Sequence, residues 1–145
     1  RFYGLTDRGP NADGGGNVKI FLQPGFTPSI GHFEIQRDGS IRKLRTIPLK
    51  NAQGKPLTGL PNPAGYGTSK EQVVDADKHP LERDINGIDS EGLAVMKDGT
   101  FWVSDEYGPH IVHFNKNGIE LERMSPRGVK TTGRRFALPT ASRLS

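Results

Sequence analysis

The chain has 145 residues, 32% of them hydrophobic, with a formal charge of +4 and no cysteine. An apolar share so far below the ~45–50% usual for a globular domain, glycine included, leaves only a thin, sheet-like core. Without cysteine there are no disulfides, thiolate metal sites or cysteine nucleophile, and no apolar run approaches the ~18–20 residues that span a bilayer.

Gly 19 and Pro 11 make up about a fifth of the chain. That balance predicts many turns and short strands. RFYGLTDRGP, residues 1 to 10, reads as a strand closed by an acidic Gly-Pro turn. Asn11 to Asn17 is Gly-rich but has Gly9 where a calcium loop needs its first acid, and no helix follows to make a phosphate loop. It reads as a turn. His32 to Gln36 alternates as a strand does, and Asp38-Gly39 is a hairpin turn in which glycine accepts positive φ.

Lys50 to Ile88 is rich in Gly, Pro, Asn and Asp and lacks periodicity. It reads as a long loop between repeats, carrying Asp75, Asp77 and Asp84. After it come Gly92 to Met96, the turn Lys97-Asp98-Gly99, a strand from Thr100, a second acidic Gly-Pro turn, and Ile111 to Phe114. Asn117-Gly118 turns into a last strand. Residues 91 to 125 thus predict a four-stranded antiparallel meander. From Arg123 onward there are six basic residues (Arg123, Arg127, Lys130, Arg134, Arg135, Arg143) and no acid. This reads as a solvated tail. Only Phe136 interleaves with it, so nothing supports nucleic-acid binding.

The chain repeats itself. RFYGLTDRGP matches TFWVSDEYGP (100 to 109) at an offset of 99, pairing Tyr3 with Trp102 and Asp7 with Glu106. GHFEIQRDGSIRKL matches HIVHFNKNGIELER at 79; the first copy carries an insertion, roughly Asn11 to Ile30. A repeated four-stranded meander predicts an all-β fold of the β-propeller type, with about two blades and an incomplete ring. A small β-sandwich fits the repeat order less well. The expected organisation is a blade portion 1–49, a loop 50–88, a blade 89–125 and a connection 126–145, all within one propeller domain. The remaining blades of the same propeller are then the expected partners.

Four acids stand at the open end of one hairpin: Asp89 and Glu91 before its first strand, Asp105 and Glu106 after its second. A single acid there is ordinary turn chemistry. Four together repel unless a cation joins them, and calcium favours such oxygen donors. Asp7-Arg8 occupies the equivalent place in the first copy, where Arg8 can meet an anionic group or a neighbouring acid. Tyr107 and His110 border the same turn. His110 and His113, three apart on a strand, point to opposite faces and share no metal. No G-x-S-x-G elbow is present.

FYGLTDRGPNADG, the Pro24 to Pro28 stretch, GKPLTGLPNP and DSEGLAVMKDGTFWVSDEYGPHIVHFNKNG resemble the family called esterase-like activity of phytase, from Arg1 to about Pro139. The resemblance implies a secreted or periplasmic bacterial β-propeller of several hundred residues, of which this chain is a piece. It implies hydrolysis of an anionic small-molecule ester by analogy to calcium-dependent phytases. The family's motifs fall on Asp7, Arg8, Asp89, Glu91, Asp105 and Glu106. Two functions are expected. In the first, the chain belongs to a calcium-dependent hydrolase of phosphate or related esters. Glu91, Asp105 and Glu106 would be catalytic, Arg8, Tyr107 and His110 substrate-binding, and Asp7, Asp89, Glu91, Asp105 and Glu106 metal-binding. In the second, the propeller is a non-catalytic binding module with structural metal at most.

Overall fold

The computed structural model describes residues 1–67 and 69–125. Within them run β1 (Phe2–Leu5), β2 (Asn11–Asp13), β3 (Val18–Phe21), β4 (Ser29–Ile35) and β5 (Ile41–Pro48). There follow β6 (Gln72–Val74), β7 (Ser90–Val95), β8 (Phe101–Asp105), β9 (His110–Phe114) and β10 (Glu120–Met124). The described residues contain no helix, so none is long and apolar enough to cross a membrane.

The fold is all-β, with blade-type antiparallel sheets that form no closed ring among the described residues. β7 to β10 form a four-stranded meander in which each strand pairs with the next. Its tight turns close on Gly99 and Gly118, both at positive φ (84° and 77°). β1, β4 and β5 form a three-stranded version of the same sheet.

Strand alternation explains the core. Phe101 and Val103 of β8, and Val112 and Phe114 of β9, point to one face and are fully buried. They meet Ile30 and Ile47, cross-strand partners in the first sheet, and Leu49. Each such side chain contributes ~1.5–3 kcal/mol when fully buried. An aromatic–histidine stack occurs in both of these sheets, with Tyr3 and Trp102 as repeat equivalents and the histidines not. Tyr3 lies on His32 (4.4 Å, 9°) and Trp102 on His113 (4.2 Å, 5°). Tyr3 then meets Phe101 edge-on across the two sheets.

Three expectations change. The long loop 50–88 also supplies the core residues Leu57 and Ile88 and a strand, β6, that its lack of periodicity did not predict. The insertion in the first copy is not a simple turn. Its β2–β3 hairpin pairs β3 in parallel with β6, making a third sheet. Arg123 does not belong to a solvated tail: it is 1% exposed and bonds Glu120 through Nη2 at 3.0 Å. The Glu120 pairing compensates the charge that burial would otherwise penalise. The connection 126–145 and its basic residues lie outside the described residues.

Candidate functional site

The site lies where β7 begins and β8 ends, at the end of the sheet where β1 also ends. Single oxygens of Asp89, Glu91 and Glu106 come within 4.8 Å of one another. Asp89 is buried, while Glu91 and Glu106 are exposed. Register explains the convergence. Ser90 pairs with Asp105, but Gly92 pairs with Ser104, so Glu91 is an extra residue in a β-bulge. A bulge re-aims a side chain, here toward the mouth shared with Glu106. The Glu106 amide also bonds the Asp89 carbonyl at 2.9 Å.

Arg8 reaches this group from the first sheet. Its Nε lies 3.4 Å from Asp89 Oδ2, and its amide donates to Asp89 Oδ1 at 3.3 Å. Nη1 donates to Glu71 Oε2 (2.8 Å) and to the Tyr107 hydroxyl (3.2 Å). The Tyr107 hydroxyl in turn donates to the Gly59 carbonyl at 2.7 Å. Gly59 is glycine for a packing reason: a Cβ there would lie 1.8 Å from the Arg8 carbonyl oxygen. A cavity of about 280 Å³ opens alongside, lined by Arg8, Ser69, Lys70, Glu71, Glu106 and Tyr107.

The charges follow from this packing. Burial pushes the Asp89 carboxyl up to about 6; Arg8 acts against the rise, while Glu91 and Glu106 add to it. Burial opposes the Arg8 charge, but hydrogen bonds to Tyr107 and Glu71 and the charge of Asp89 outweigh it and raise its pKa. Burial also raises the Tyr107 hydroxyl above its ordinary value, against the pull of Arg8.

The other predicted residues sit elsewhere. Asp105 faces inward, where its Oδ1 accepts the amides of Asp89 (2.9 Å) and Tyr107 (3.1 Å). Its Oδ2 meets His110 Nδ1 at 2.8 Å. His110 is buried beside it, and His113 lies on the opposite face of β9. Asp7 is exposed, and its Oδ1 accepts the Gly9 amide at 2.8 Å, closing its own turn. Neither Asp7 nor Asp105 belongs to the group of three carboxylates.

Glu71, Ser69 and Lys70 join the site without any signal in their local sequence. They are carried there by the parallel pairing of β3 with β6, and Arg83 holds them by bonding the carbonyls of Asn62, Ser69 and Glu71. A second group, Asp75, Asp77 and His79, also comes together. There Asp75 accepts the amides of Asp77 and His79. That is a turn closing on itself.

A family model described as Phytase-like, esterase-like activity of phytase, matches residues 1–139. The chain belongs to this family. The Phytase-like match covers all three sheets and every residue of the site. A relative from Arthroderma benhamiae (strain ATCC MYA-4681 / CBS 112371), described as an uncharacterized secreted protein, is 32% identical over 146 residues. The match covers 86% of this chain and 27% of the relative, so the chain spans about a quarter of that protein's length. No solved structure matches.

Proposed function

We propose that this Phytase-like chain carries part of the site of an ester hydrolase, with calcium held by Asp89, Glu91 and Glu106. The observation that carries the reading is the convergence of those three carboxylates within 4.8 Å. The donor set fits the ion. Calcium takes carboxylate oxygens at ~2.3–2.6 Å, so two ligands on one ion stand no more than about 5 Å apart. When bound, calcium polarises an ester oxygen and orients a water. Arg8 holds Asp89 in place. Arg8 and Lys70 give the adjoining cavity two cationic groups, which suit an anionic small-molecule substrate such as a phosphate ester. The remaining blades of a propeller would cover the open sheet faces. A secreted location accords with the name of the fungal relative.

One observation favours the second reading, a binding module with structural metal. Arg8 already gives Nε and Nη1 to protein acceptors. A single assay separates the two. The intact protein is given p-nitrophenyl phosphate with calcium, after chelation, and as Glu91→Ala. The hydrolase reading expects turnover that falls at least tenfold on chelation and in Glu91→Ala. Turnover unchanged by either treatment would overturn it. Absent turnover, with a melting temperature raised by calcium, is the outcome of the binding-module reading.

A further inference from the structure

Asp105 occupies a particular place in the site. Its two oxygens take three hydrogen bonds, from Asp89 N, Tyr107 N and His110 Nδ1. Asp89 stands on one side of it in space, and Glu106 is its neighbour in sequence. The carboxylate of Asp105 therefore ties together the two backbone segments that present the ion-binding acids. Oδ1 does the tying, and Oδ2 decides whether Oδ1 stays aimed. His110 holds Oδ2.

The hold is rigid. The side chains of His110 and Asp105 are 2% and 0% exposed. A Cβ on Gly108 would lie 2.3 Å from three ring atoms of His110, so the ring is pressed flat against the turn that carries Tyr107. Arg123 Nη1 approaches Nδ1 only to 3.5 Å, at the limit of a hydrogen bond, whereas Asp105 is at 2.8 Å. The shorter contact decides the tautomer. A carboxylate accepts only, so Nδ1 carries the proton. Nε2 is buried and has no partner among the described residues. Among the described residues, the short polar contact of the His110 ring toward the site is the one to Asp105.

We infer that His110 is a positioning residue for the calcium site, fixing the spacing of Asp89 and Glu106 through Asp105. The inference rests on the metal reading above and adds what holds that site in shape. Groups bonded directly to a metal's ligands alter its affinity ~10–100-fold when removed, and His110 acts one contact farther out, through Asp105. Replacing His110 by Leu removes the donor. Replacing it by Asn keeps a donor at the place of Nδ1, and replacing it by Gln puts the donor farther out.

Calcium titrated calorimetrically into the intact protein tests the inference, with melting temperatures measured alongside. The expected result is a dissociation constant raised at least tenfold in His110→Leu. His110→Asn should return to within about threefold of the parent, although both variants melt earlier. A folded His110→Leu with parental affinity would overturn the inference. Should His110→Leu not fold, the Asn and Gln variants decide: Asn binding more tightly than Gln supports it, and equal affinities overturn it. A parent protein that binds no calcium overturns the metal reading itself, and the inference with it. Loss in the Leu variant alone thus cannot be mistaken for failure of the site.

Discussion

The two sheets end in the same Gly-Pro turn, yet deliver opposite charges to one place. In the first, Asp7 closes its own turn and Arg8 reaches across. In the second, Glu106 joins the carboxylate group and Tyr107 receives Arg8. Arg8 and Tyr107 are repeat equivalents at an offset of 99, and they touch. Repetition therefore fixes where side chains go, while exchange of turn residues sets what they do there. One copy supplies a cation that compensates the acid cluster of the other.

The largest test of that comparison removes the cation. Arg8→Ala leaves Asp89 buried without its partner, and Glu71 and Tyr107 lose their donor. Removing one partner of a half-buried pair, so that the other is left unsatisfied, costs ~1–3 kcal/mol. Denaturant unfolding should show that loss. A change below ~1 kcal/mol would mean the two turns are independent.

An intermediate effect comes from pH. The folded pKa of Asp89 is raised to about 6 from an ordinary 3.8. Between those values the folded state holds a proton that the unfolded state has released. Without calcium, the contribution of Asp89 to stability is therefore fully present below about pH 4 and is lost as pH rises through 6. Melting temperatures of parent and Asp89→Asn, compared across that window, should show the parent losing ground as pH rises. Calcium should reverse the trend above pH 6, because binding needs the carboxylate ionised.

The smallest effect belongs to Asp7. Asp7→Ala removes one part-buried hydrogen bond, from the Gly9 amide, a loss of ~0.5–1.5 kcal/mol. Calcium affinity should not move. A tenfold drop would place Asp7 functionally with Glu106, its repeat counterpart.

These contrasts also mark how far sequence could lead. The meander of β7 to β10 was legible because Val112 and Phe114 alternate with exposed Ile111, and because Asp98-Gly99 and Asn117-Gly118 are strong turn signals. Hairpin geometry put four acids, Asp105 among them, at one mouth, and the repeat put Arg8 nearby; the narrower grouping of Asp89, Glu91 and Glu106 depends on the bulge at Glu91. The inward aim of Asp105 was readable too: it shares strand parity with Phe101 and Val103, both buried. Parity there was masked by the neighbouring acids. The bulge at Glu91 and the strands β2, β3 and β6 carried no such signal. Two of these strands are three residues long, too short for a period to show. The pairing of Val18 with Gln72 joins distant segments, for which no local pattern exists.

That parallel pairing has a bearing on modularity. The excursion between β1 and β4 and the one between β5 and β7 each contribute strands that the other completes. Asn17 reinforces the join, its side chain donating to the Lys70 carbonyl and its own carbonyl accepting the Gln72 amide. Transplanting either excursion alone onto another protein would carry an unpaired strand edge with it. The two should behave as a single graft, separate in the chain but inseparable in any swap between related proteins.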